Sequence, residues 1–61
     1  MKRVWCADKH GDYLGYAVRR VDGLYDAYGV CNDDSSERLT ATNSLSEAFD
    51  AIRKWSRYEE G

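Results

Sequence analysis

Cys6, His10 and Cys31 are the side chains in this sequence best suited to nucleophilic or metal chemistry, and their spacing argues against both. A structural zinc site is assembled from closely spaced Cys and His pairs, and one histidine with two scattered cysteines supplies none. An activated thiol needs a base or a positive neighbour. His10 lies in a predicted turn beside Gly11, away from both cysteines. The predicted strands place Cys6 and Cys31 on non-adjacent strands and on opposite faces, where a disulfide does not close. Two reduced thiols in a reducing, cytoplasmic compartment are the expectation, with no metal and no cofactor.

Carboxylates form the second candidate set. Residues 8–37 hold seven acids against three bases, in a chain of net charge −2. In an antiparallel meander the turn at Lys9–Asp12 and the loop at Asn32–Glu37 fall at one end of the sheet, and a returning helix brings its C-terminus there. Asp8, Asp12, Asp33, Asp34, Glu37, Glu59 and Glu60 are therefore expected to share one end. Acid–base catalysis needs carboxyl groups whose environments separate their pKa values, which exposed loop ends do not provide. Asp33-Asp34-Ser35-Ser36-Glu37 lacks the alternating ligands and central glycine of a calcium loop. What remains is a solvated rim or a docking surface for a basic protein, such as one that itself binds nucleic acid.

Lys2, Arg3, Arg19 and Arg20 are the candidates of opposite sign. Strand arginines beside Tyr13 and Tyr28 as stacking platforms describe a sheet that reads nucleic acid. The acidic middle of the chain opposes that footprint, so nucleic acid is the alternative partner rather than the expected one.

The elements that position these residues follow from pattern. Asp22-Gly23 separates two apolar runs, Tyr13–Val21 and Leu24–Cys31, and predicts a hairpin closed by a two-residue turn. That register opposes Arg19 to Asp26 and each glycine to a larger residue. Arg3–Asp8 is a first strand, whose turn at His10-Gly11 pairs Trp5 with Tyr16 and Val4 with Ala17. Arg38–Thr42 is a short fourth strand. Ser44-Leu45-Ser46-Glu47 is a capping box, and Leu45, Ala48, Phe49, Ile52, Trp55 and Ser56 then recur on one helical face. Glu47, Asp50, Arg53, Lys54 and Arg57 take the other side, with Asp50 and Lys54 spaced for an ion pair.

The fold class is therefore α+β: a three- to four-stranded antiparallel meander followed by one amphipathic helix packed on one face, as a single domain over residues 1–61. The helix is expected over Trp5, Tyr16, Val18, Tyr25, Ala27 and Leu39. Tyr13, Val21, Leu24, Tyr28 and Val30 are left on the open face with Val4, Cys6 and Ala17. At 61 residues the core is thin, because a domain this small buries only about 60% of its unfolded surface. An uncovered apolar face then reads as an interface, either of a homodimer or with another protein. No apolar run is long enough to span a membrane. Short, acidic, proline-free domains are common among accessory proteins of phages and mobile elements that bind and block a host protein. That association rests on composition and is carried by no motif. The expectation is a non-enzymatic protein-binding module.

Overall fold

The computed structural model describes residues 2–31 and 33–59, the last three of these as backbone only. Four strands, β1 (Arg3–Ala7), β2 (Tyr13–Arg19), β3 (Tyr25–Val30) and β4 (Ser36–Thr42), form one antiparallel sheet in the order β1-β2-β3-β4. The helix α1 (Leu45–Glu59) follows. This is the predicted meander and helix, with the fourth strand present and starting two residues earlier than Arg38. Among the described residues no helix is long and apolar enough to cross a membrane.

The three hairpins close in one way. The N–H of Asp8 donates to the carbonyl of Asp12 at 2.9 Å, and that of Gly11 to Asp8 at 3.1 Å. The same two bonds recur as Arg20 to Leu24 and Gly23 to Arg20, then as Cys31 to Ser35 and Asp34 to Cys31. Gly11, Gly23 and Asp34 have φ of 87°, 88° and 67°. In the first two hairpins this is the three-residue loop, a type I turn completed by a left-handed residue, a conformation that glycine supplies most readily. Neither the two-residue turn predicted at Asp22-Gly23 nor the one predicted at His10-Gly11 forms.

One extra loop residue shifts β3 by one position against β2. Ala17 faces Ala27 and Gly15 faces Gly29, whereas the shorter turn predicted Val18 opposite Ala27 and Gly15 opposite Val30. The shift also separates Arg19 from Asp26. Asp26 pairs instead with Arg20 at 3.6 Å and Arg38 at 3.1 Å. Between β1 and β2 the predicted register holds, with Trp5 opposite Tyr16 and Val4 opposite Ala17. A bulge then leaves Leu14 unpaired on β2, which lets Tyr13 turn to one face while Leu14 packs into the core on the other.

The helix lies over β2, β3 and β4, on the face of Cys6, Gly15, Ala17, Ala27 and Gly29. Cys6, Ala17, Ala27, Ala48 and Ile52 are the buried core, with Leu14, Tyr25, Leu39, Leu45 and Phe49 packed around it. The face assignment is thus reversed for the first two strands: Trp5, Tyr16 and Val18 lie away from the helix, and Cys6 and Ala17 beneath it. Size explains the reversal. A Cβ on Gly29 would stand 2.5 Å from the Trp55 ring, and one on Gly15 would stand 3.0 Å from Ile52 Cγ2. A helix carrying Ile52 and Trp55 needs a floor of small residues, and the face of Trp5 and Tyr16 is too bulky to provide it. Trp55 rests half-buried on Gly29, but Trp5 is 43% exposed on the opposite side.

The helix start matches its signal. Glu47 N–H donates to Ser44 Oγ at 3.2 Å. The Glu47 carboxylate reaches the N–H of Asn43, at 3.4 Å, rather than that of Ser44. Asp50 pairs with Arg53 at 3.2 Å instead of Lys54, and the side chain of Arg57 lies outside the described residues.

Candidate functional site: the face opposite the helix

The register that puts small residues under the helix gathers large ones on the other side. Trp5, Tyr16 and Tyr28 are cross-strand neighbours on β1, β2 and β3, and Arg38 continues the row on β4. Tyr16 stacks on Tyr28 with ring centroids 5.0 Å apart and planes 17° from parallel. Trp5 meets Tyr16 edge-on at 5.0 Å and Tyr13 at 5.0 Å and 44°. Such pairs add about 0.5–1.5 kcal/mol each beyond burial, so the rings hold one another in place. The Tyr16 hydroxyl donates to Ser36 Oγ at 3.2 Å, and the Arg3 guanidinium lies 5.0 Å from the Tyr16 ring centroid. Tyr16 is thereby 8% exposed, while Trp5 and Tyr13 remain 43% and 62% exposed.

Of the residues predicted on the open face, Tyr13, Tyr28 and Val30 border this surface. Val30 lines a groove with Arg3, Trp5, Tyr13 and Asp34. Val21 sits fully exposed in the β2–β3 loop and Leu24 beside it, half-buried, so both belong to the turn. Sequence reasoning missed Trp5, Tyr16 and Arg38. Their signal is the even spacing of Trp5 with Arg3, and of Tyr16 with Val18, once the glycines are assigned to the helix side.

The candidate bases separate. Arg3 and Arg20 reach the aromatic face, Arg20 bonded to Asp22 at 3.0 Å and to Asp26. Arg19, by strand alternation, belongs to the helix side, and Lys2 is exposed just before β1.

The acidic end is assembled in part. Asp8, Asp12 and Asp33 line one open cavity of about 660 Å³ with Trp55 and Ser56, on the helix side of Tyr13. Asp34 borders the groove on the aromatic side. Glu37 is exposed on β4 opposite Gly29. The Glu59 side chain and Glu60 lie outside the described residues. Cys31 lines the same cavity as Trp55, so it shares the helix side with Cys6 rather than opposing it. Both thiols are free, and burial pushes that of Cys6 up despite the opposing charge of Arg53. Among the described residues no three His, Cys, Asp or Glu side chains group as metal ligands.

Two of the acids hold turns. Asp8 Oδ1 accepts the N–H groups of His10 at 2.8 Å and Asp12 at 3.0 Å. Asp33 Oδ1 accepts the Ser35 hydroxyl at 2.6 Å and its N–H at 3.2 Å. Desolvation raises the Asp8 carboxyl, but the donors from Asp12 and His10 together outweigh it and hold it low; the Ser35 hydroxyl and N–H do the same for Asp33. A carboxyl held low when folded binds fewer protons than in the unfolded chain. Its stabilisation is therefore complete above about pH 4 and is lost as pH falls through the folded value. Urea midpoints are expected to fall on acidification below that point, by a small amount because Asp33 is exposed and Asp8 only half-buried, so solvent screens both. Asp33→Asn, which keeps Oδ1 but does not titrate, is expected to flatten the acid limb. An unchanged limb would mean the turn bonds contribute nothing.

No protein family, curated protein or solved structure matches this chain.

Proposed function

We propose that this domain works by binding another protein, without catalytic chemistry of its own, through the aromatic face opposite its helix. The observation that carries this reading is the ring series Trp5, Tyr13, Tyr16 and Tyr28, fixed by mutual packing yet exposed at Trp5 and Tyr13. Rigid Trp and Tyr side chains are the commonest anchors of protein interfaces, because they bury much area while losing little side-chain freedom. Asp34 and Asp12 flank the Tyr13 end and favour a partner with basic residues beside an apolar pocket. An accessory or inhibitory protein of the phage and mobile-element kind, acting in the cytoplasm on a basic nucleic-acid-binding target, fits that description. Two free thiols suit the reducing compartment.

Arginines among the rings favour a second reading, single-stranded nucleic acid stacked on the sheet. It is the weaker one, since Asp26 already engages both Arg20 and Arg38. Affinity capture from the native host, read by mass spectrometry, separates the two. Trp5→Ala and Tyr13→Ala, checked for native circular dichroism, are expected to lose the captured protein, each weakening binding by roughly 2 kcal/mol as anchor residues do. Lys54→Ala, on the exposed side of the helix, is expected to retain it. Capture indifferent to both ring substitutions contradicts the proposal. A salt-sensitive mobility shift with single-stranded oligonucleotides supports the alternative instead.

A further inference from the structure

β1 is an edge strand whose two faces are only partly covered, Cys6 alone among its residues being buried. Among the described residues its outer backbone edge has no neighbour in the sheet order. The helix lies over β2, β3 and β4, so Val4 on the helix side remains 39% exposed while Trp5 on the other side is 43% exposed. An edge of this kind is a template for a further strand, and proteins that stay monomeric blunt it with lysine, proline or a bulge. The other edge, β4, is treated in that way: Glu37 and Arg38 are its second and third residues and its register slips at Leu39. β1 reads Arg-Val-Trp-Cys-Ala, its only charge at the first position, and the bulged residue of the β1–β2 ladder sits on β2, leaving β1 regular.

We infer that β1 pairs antiparallel with β1 of a second copy of this chain, centred on Trp5, to give a continuous eight-stranded sheet. The register follows from the sequence itself. A two-fold axis normal to the sheet keeps each side chain on its own face, so the strand must pair about a residue rather than between two. Centring on Trp5 opposes Arg3 to Ala7 and Val4 to Cys6, using all five strand residues. It also opposes Lys2 to Asp8 at both ends, a charge complementarity made twice by symmetry. Centring on Cys6 would set Arg3 against Lys9, and centring on Val4 would set Lys2 against Cys6. Asp8 spends Oδ1 on its own turn, which leaves Oδ2 for the lysine.

Such a dimer extends the aromatic row through Trp5 of both copies and covers the exposed Val4 between the two helices. Trp5 belongs to both surfaces, so the dimer is tested at Lys2 and Val4, on the helix side of the sheet, and the protein-binding reading at the rings, which lets the two fail separately. Sedimentation of the wild-type chain over micromolar concentrations is expected to show reversible passage from 7.0 kDa to twice that mass. Amide exchange in Arg3–Ala7 is expected to slow as concentration rises, with no change in β4. Val4→Lys, at a half-exposed position, places two lysines beside the axis and is expected to leave a folded monomer. Lys2→Asp, at an exposed position before β1, replaces two attractions by two repulsions and is expected to leave the fold intact and weaken association about tenfold at low salt. A chain that stays monomeric throughout overturns the inference. So does a dimer that neither substitution disturbs, or one whose protection appears on β4.

Discussion

Ile52→Ala is expected to unfold the domain at room temperature. Ile52 is fully buried at the centre of the core, and its Cγ2 lies within 3.0 Å of where a side chain on Gly15 would begin. Truncating a buried isoleucine costs about 2–5 kcal/mol, from lost burial plus the cavity left behind. A single core in a domain below about 70 residues supplies only about 3–5 kcal/mol in total. The change therefore consumes most or all of the stability. Far-ultraviolet circular dichroism with urea titration decides it: a variant with native ellipticity and an unchanged midpoint would mean that the helix does not seat Ile52 against the sheet.

Gly15→Ala is expected to be comparably damaging for the opposite reason. The new Cβ would lie 2.1 Å from the carbonyl oxygen of Tyr28. That oxygen belongs to the sheet backbone, so relief requires β2 and β3 to part. Overpacking typically costs about 1–3 kcal/mol, and more where no side chain can swing aside. Gly29→Ala makes the informative contrast, because the three atoms nearest its Cβ all belong to the Trp55 ring, at 2.5–2.7 Å. An indole can rotate, so this variant is expected to remain folded with a lowered midpoint. Equal midpoints for the two variants would contradict the close approach of β2 to β3 at Gly15.

The helix is legible in the chain because short-range chemistry determines it. Ser44 caps whatever helix follows it, whereas the β1–β2 register comes out as expected only because the bulge at Leu14 offsets the extra loop residue before His10-Gly11. The face of the sheet that meets the helix is not decided so locally. Val21-Asp22-Gly23 and Asp22-Gly23 are both workable loops, and they differ by the single residue that moves every β3 side chain to the other face relative to β2. The deciding information lies further apart: Gly15 and Ala17 on one strand, Ala27 and Gly29 on the next, and Ile52 and Trp55 on the helix. Read together, these small residues make the floor on which the two large helical side chains rest. A preference for pairing glycine with a larger neighbour conceals that floor, and with it the aromatic face behind it. The acidic end was visible as composition, but that Asp8 and Asp33 are held by backbone N–H groups depends on turn geometry that composition does not contain.

If a partner protein sits on the ring face opposite the helix, as proposed, crosslinking from that face captures it. Among the described residues Tyr13 is the most exposed ring, at 62%, so replacing it by the photoreactive p-benzoylphenylalanine samples the surface without disturbing the core. After irradiation in cells of the native host, the expected result is a discrete adduct to one other protein. It should be lost when Trp5→Ala is added, and it should be absent when the probe replaces Lys54 on the outer side of the helix. Adducts from the Lys54 position but not from Tyr13, or a Tyr13 probe that captures only nucleic acid or a second copy of the chain, would contradict the account.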